Sequence, residues 1–182
     1  LFDLAEKGNF NSSLMKFDEA MKLTIEMASN AYKNEEGIVG VPTGLSDLDG
    51  RLGGLHKSDL VIIAGRPSMG KTALATNIAF NAAQKIQESE KKSCVAFFSL
   101  EMSSEQLSTR IIAEQSRIKS NDIRRGKISE EQFDKFIETS KNISELPLYI
   151  DETPAISIAA LSNRARRIKR QFGLDLIVVD YI

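Results

Sequence analysis

Eight consecutive residues have the types and the spacing to hold a phosphate. Gly65-Arg66-Pro67-Ser68-Met69-Gly70-Lys71-Thr72 reads G-x-x-x-x-G-K-T, the pattern of a phosphate-binding loop. The two glycines let the backbone turn tightly, so that successive N–H groups converge on phosphate oxygens. A helix starting at the loop adds its positive end to the same anion. Lys71 is a compact ammonium on a flexible stem, suited to the β- and γ-phosphates of a nucleotide. The Thr72 hydroxyl is placed to ligate Mg2+.

Two acids could complete such a site. Asp180 closes the apolar run Leu176-Ile-Val-Val, which is the Walker B pattern, and its carboxylate could hold the magnesium directly or through water. Glu101 follows Val95-Ala-Phe-Phe-Ser-Leu. A carboxylate there could orient an attacking water and take its proton. A strand-end turn residue and a helix-entry acid are the plainer readings of these two positions.

The elements that must position these groups follow from hydrophobic periodicity. Leu60 to Ala64 is apolar and rich in β-branched residues, which predicts a buried parallel strand leading into the loop. Leu74, Ile78, Ala82 and Ile86 then recur at helical spacing. Cys94 to Ser99 predicts a second strand, Leu148 to Ile150 a third and Leu176 to Asp180 a fourth. Between them, Ser103 with Gln106 and Ser129 with Gln132 are capping boxes. Phe133, Phe136 and Ile137 form one helix face, and a short helical piece is bracketed by Ser120 and Gly126. Ser157 caps a last helix with Ile158, Leu161, Ala165, Ile168 and Phe172 inward and Gly173 as its stop. Strands alternating with helices mean an α/β domain with a mainly parallel sheet, and ligands of such sheets bind beyond the carboxyl ends of the strands.

The flanking regions are less regular. Residues 1–11 read as linker. Ser12 or Ser13 could cap a helix over about 14–32, with Leu14, Phe17, Met21, Ile25, Ala28 and Tyr32 on one face. That face could pack on its own domain or on a neighbouring subunit. We divide the chain into a linker region, 1–37, and an ATPase region, 38–182. Within 38–59, Pro42-Thr43-Gly44, Asp49-Gly50 and Gly53-Gly54 are turn chemistry, with Leu45, Leu48, Leu52 and Leu55 expected to cap the first strand. His56 has no metal-ligand company and reads as a surface or turn residue. The basic run Arg164, Arg166, Arg167, Lys169, Arg170 is a solvated or subunit-facing surface, or a DNA-facing stripe lacking an aromatic stacking platform.

Composition sets bounds. The chain has 182 residues, 42% of them hydrophobic and 27% charged, with a net charge of −1. These are ordinary globular values with no global basic field. A single cysteine, Cys94, excludes an internal disulfide framework. No apolar stretch approaches a membrane span and no signal peptide is visible, so a reducing, cytoplasmic setting is expected. The chain starts at Leu1 and stops just after Asp180, and we expect a fragment cut at both ends.

Five stretches together resemble the RecA-like ATPase domain of the bacterial DnaB-type replicative DNA helicases: Pro42-Thr-Gly-Leu-Ser-Asp-Leu-Asp49, Gly65 to Thr72, Phe98-Ser-Leu-Glu-Met102, Ile150-Asp-Glu-Thr-Pro154 and Leu176-Ile-Val-Val-Asp-Tyr181. The combination covers about residues 14–182 and is more specific than the phosphate loop alone. The resemblance implies a RecA-like P-loop fold, truncated after the Walker B strand and preceded by a linker helix that docks on the adjacent subunit. It implies ATP and Mg2+ as ligands. It also implies a homohexameric ring around single-stranded DNA, with primase and a helicase loader as partners in a primosome. Glu101 falls at that family's general base. The family's DNA-contacting loops, γ-phosphate-sensing glutamine and arginine finger lie after the Walker B strand, so this chain alone is expected to be inactive. A RecA-like recombinase or another P-loop ATPase is the alternative. A P-loop phosphotransferase is a third reading, disfavoured because Glu101 suits water activation.

Overall fold

Val95–Ser99 (β1) is the element around which the domain is built, and all five of its residues are buried. Alternate side chains serve two different cores. Val95 and Phe97 pack with Ala79, Ala82, Ala83 and Ile86 of the helix Lys71–Glu88 and with Leu107. Ala96 and Phe98 pack on the opposite face with Ala165, Leu161 and Ile168. A strand apolar on both sides is what a parallel sheet covered by helices requires.

The computed structural model describes residues 15–33, 37–89 and 91–181. In chain order the elements are α1 (Phe17–Lys33), α2 (Ser46–Leu52), α3 (Lys71–Glu88), β1, α4 (Ser104–Ser116), α5 (Ser120–Arg124), α6 (Glu130–Ile143), β2 (Leu148–Asp151), α7 (Ile158–Phe172) and β3 (Leu176–Asp180). The described residues fall into two units, divided between Val39 and Gly40.

The first unit contains α1. Asp18 and Glu19 favour its N-terminal end through the helix dipole. Its apolar residues face solvent: Phe17 is 80% and Tyr32 93% exposed, and Met21 and Ile25 are also exposed. The linker at 1–11, the cap expected at Ser12 or Ser13, and Leu14 lie outside the described residues.

The second unit is a three-layer α/β domain. Its sheet has the order β2-β1-β3, and both pairings are parallel. The capping boxes at Ser103–Gln106 and Ser129–Gln132 both form, Ser157 caps α7, and Gly173 ends it. Gly173 has φ 79° and ψ 163°, a region essentially restricted to glycine. A Cβ there would stand 2.4 Å from the Lys92 carbonyl oxygen. Gly173→Ala is therefore expected to cost about 2–4 kcal/mol, read as a lower urea midpoint at unchanged slope; an unchanged midpoint would contradict it.

Three expectations are corrected. Leu60–Ala64 forms no strand: it carries no ladder to the sheet, and Leu60 is 86% and Ile62 78% exposed. Its β-branched composition describes a segment able to be buried on both faces, but a strand also needs a neighbour to hydrogen-bond, and β1, β2 and β3 pair without it. Two ends of the expected inward face of α7 are not buried: Ile158 is 82% exposed, the preceding Ile156 packing on the core in its stead, and Phe172 is 41% exposed and stacks on Tyr149. The 38–59 cap does not sit over a first strand. It closes on itself through a bridge between Val41 and Leu55, and Asn81 Nδ2 of α3 donates to the Thr43 carbonyl at 2.9 Å. Asp49, buried, organises it by accepting from Thr43 N–H, Thr43 Oγ1 and Gly44 N–H. His56 is a turn residue whose ring Nε2 lies 3.2 Å from the Leu52 carbonyl.

Cys94 is buried beside β1, and its Sγ donates to the Gly173 carbonyl. Burial, aided by the nearby Asp175 carboxylate, pushes the thiol up to about 11, so it is an inert packing residue.

Candidate nucleotide-binding site

Residues Gly65 to Thr72 form a turn that leads directly into α3, without the strand expected before it. Arg66 to Gly70 forms a turn in which Met69 N–H donates to the Arg66 carbonyl at 3.3 Å. Ser68 and Gly70 both have positive φ, 64° and 86°. Gly70 is the N-cap of α3 and brings no side-chain cap; Leu74 N–H takes up its carbonyl at 2.9 Å. The preceding N–H groups of the first turn are the ones a helix leaves without intrahelical acceptors. Unlike α4 and α6, α3 has no acid in its first turn. An acid there would satisfy the dipole but repel a phosphate. The whole loop from Gly65 to Gly70 is exposed, including Pro67 and Met69, and Lys71 and Thr72 are half-buried. Lys71 Nζ donates to the Gly65 carbonyl at 2.9 Å.

Tertiary structure brings the two acids to this loop's end of the sheet. Parallel register sets Ser99, the last residue of β1, opposite Asp180, the last of β3. Leu100 N–H donates to the Asp180 carbonyl at 2.7 Å, and Glu101 is the next residue, exposed. Lys71 Nζ lies 5.8 Å from the Tyr181 ring centroid, within reach of a cation–π attraction. The loop lysine thus stands over the residue that follows Asp180. Asp180 is 5% exposed, and its Oδ2 is buried with no hydrogen-bond partner. A buried carboxylate oxygen left unpaired is costly, and a hard cation would satisfy it. Among the described residues there is no cluster of three or more His, Cys, Asp or Glu able to cage a metal. Magnesium is commonly held by one or two carboxylates plus substrate phosphates, and the unpaired Asp180 oxygen could supply such a carboxylate. The residues therefore fit a Mg-nucleotide.

Several neighbours were not singled out from sequence. Ser99 Oγ accepts Met102 N–H at 3.1 Å. Glu152 accepts Ser104 N–H, and this bond holds its carboxyl below the ordinary glutamate range. Asp151 accepts Thr153 N–H and an Arg164 guanidinium N–H. Burial works to raise the Asp151 carboxyl, but the bonds from Arg164 and Thr153 outweigh it and the net shift is downward. Arg164, the first cation of the basic run, is thus paired with Asp151 and Thr153 while its side chain stays partly exposed. Ser99 and Asp151 to Thr153 lie in two of the stretches that carry the resemblance, but their contacts were not legible there.

The sequence profile of the DnaB-like helicase C terminal domain matches residues 40–182. The chain belongs to this family. The DnaB-like chain is 43% identical to the replicative DNA helicase DnaB of Rickettsia conorii over 187 residues, covering 100% of this chain and 38% of that protein. It is 35% identical to the replicative DNA helicase DnaC of Bacillus subtilis, covering 100% of this chain and 39% of that one. It therefore spans about two-fifths of the length of these curated relatives. Among solved structures, the ATPase domain of G40P superposes with a TM-score of 0.81 at 29% identity, covering 93% of this chain and 58% of that one. A DnaB-like replicative helicase studied with its primase interactions superposes at 0.78 and 29% identity, covering 91% of this chain and 39% of the other. These likenesses establish a DnaB-like, RecA-fold ATPase domain and, with it, a nucleotide-binding fold.

Proposed function

We propose that this chain is the nucleotide-binding part of an ATP-driven replicative DNA helicase motor. The observation that carries this is the convergence of the phosphate loop, Asp180 and Glu101 at one end of the sheet, with Lys71 Nζ 5.8 Å from the Tyr181 ring. In this reading Gly65 to Thr72 wraps the phosphates of ATP, backbone N–H groups and Lys71 meeting the oxygens. The Thr72 hydroxyl and the Asp180 carboxylate hold Mg2+. Bound magnesium supplies charge neutralisation at the β- and γ-phosphates. Glu101 accepts the proton of the attacking water as its oxygen bonds the γ-phosphorus and the bond to the ADP oxygen breaks. In the full-length protein, a homohexamer would couple this hydrolysis to movement on single-stranded DNA and unwinding at the replication fork. The exposed apolar face of α1 supports its docking on a neighbouring subunit. Primase is the partner class that the likeness to a primase-interacting helicase supports; a helicase loader is a further partner in this reading. Among the described residues no helix is long and apolar enough to cross a membrane. The cytoplasm is the setting we propose.

Unwinding of a forked duplex by the full-length protein with ATP tests the reading directly. DNA-stimulated hydrolysis without strand separation would instead favour a recombinase-like ATPase. The metal assignment has its own test. Asp180→Asn keeps size and loses charge, so the magnesium needed for half-maximal nucleotide binding is expected to rise about tenfold or more, and added magnesium to restore binding. Magnesium titrations that coincide with wild type would remove Asp180 from the metal site.

A further inference from the structure

Glu101 lies in an exposed turn between the last residue of β1 and Ser103, the N-cap of α4. A carboxylate on an unsupported turn would spread over several positions, whereas a general base must be held to within about 0.5 Å. Hydrogen bonds on either side of Glu101 fix the backbone from which the carboxylate projects. Before it, Leu100 N–H is fixed on the Asp180 carbonyl at 2.7 Å. After it, Met102 N–H is held by Ser99 Oγ at 3.1 Å. The Met102 N–H belongs to the peptide plane that begins at the Glu101 carbonyl carbon, so this bond restricts Glu101 ψ. Ser99 is 1% exposed and locked in register with Asp180. Beyond the N-cap, Ser104 N–H is held by the Glu152 carboxylate from the end of β2. Glu152 is itself steadied by its neighbours, since Arg164 ties Asp151 to Thr153 on its two sides.

We propose that Ser99 and Glu152 are positioning residues for Glu101, so that β1 and β2 together set where the base stands. This rests on Glu101 being the general base. Neither residue touches the nucleotide in this scheme; each acts through the backbone of the turn.

The test is steady-state ATP hydrolysis by the full-length protein, with nucleotide affinity and unfolding midpoint measured in parallel. Ser99→Ala and Glu152→Ala should each lower kcat about 10- to 100-fold with KM and nucleotide affinity unchanged. Glu152→Gln keeps an acceptor oxygen and should restore turnover. Combining Ser99→Ala or Glu152→Ala with Glu101→Gln should slow the enzyme no further than Glu101→Gln alone, because the positioned group is already gone. A merely structural role would lower stability and leave the losses additive. Wild-type kcat in both alanine variants, or additive losses, overturns the proposal while leaving Glu101 as base. Wild-type speed in Glu101→Gln overturns this proposal and the catalytic reading together. Glu152 is at the surface, so Glu152→Ala carries the test by itself if Ser99→Ala does not fold.

Discussion

Replacing Lys71 by alanine is expected to weaken binding of a fluorescent ATP analogue about tenfold to a hundredfold, the cost of losing one charged hydrogen-bond donor to phosphate. The rest of the cradle survives the change, since the loop's turn is set by Arg66, Ser68 and Gly70 backbone geometry. The lysine's internal bond to the Gly65 carbonyl is lost as well, so the unfolding midpoint must be compared in the same variant. Lys71→Arg should not rescue binding. The site takes a compact ammonium between the Gly65 carbonyl and the Tyr181 ring, and a planar guanidinium fork does not occupy that space in the same way. Unchanged affinity in a folded Lys71→Ala protein would end the phosphate-loop assignment.

Glu101→Gln should leave Mg-ATP binding intact and slow hydrolysis in the full-length protein about 10²–10⁴-fold, the usual cost of losing a general base. The amide keeps the size and the hydrogen-bonding reach of the carboxylate but cannot take the water's proton. Phosphate release at saturating nucleotide is the measurement. Turnover within a few-fold of wild type would reduce Glu101 to an acid favoured at the entry of α4. The pair of variants separates two effects: Lys71, expected to be catalytic as well as phosphate-binding, acts on binding and on transition-state charge, Glu101 only on the chemical step.

How much of this was readable without coordinates depends on how local each determinant is. The loop from Gly65 to Thr72, the caps at Ser103, Ser129 and Ser157, and the stop at Gly173 are each specified within a few residues, by side-chain reach or by a backbone angle only glycine accepts. Periodicity located α3, β1, β2, α7 and β3 because each buries a face of its own. The same signal failed at Leu60–Ala64. Apolar β-branched composition states that a segment can be buried, while pairing depends on which strand lies beside it, and that information is not local.

Sequence by itself therefore determined which side chains could hold a phosphate, which acids end apolar strands, and that the domain is α/β. Tertiary structure decided what stands next to what. Register between β1 and β3, distant in sequence, sets Ser99 against Asp180 and carries Glu101 to the same sheet end. It places Lys71 over Tyr181, leaves one Asp180 oxygen buried and unpaired, and turns Arg164 from a member of a basic run into a brace for Asp151. The physical reason is common to all of these. A cap or a tight turn is decided by atoms a few bonds apart. Desolvation and ion pairing, by contrast, are decided by whichever distant segments the packed core brings into contact.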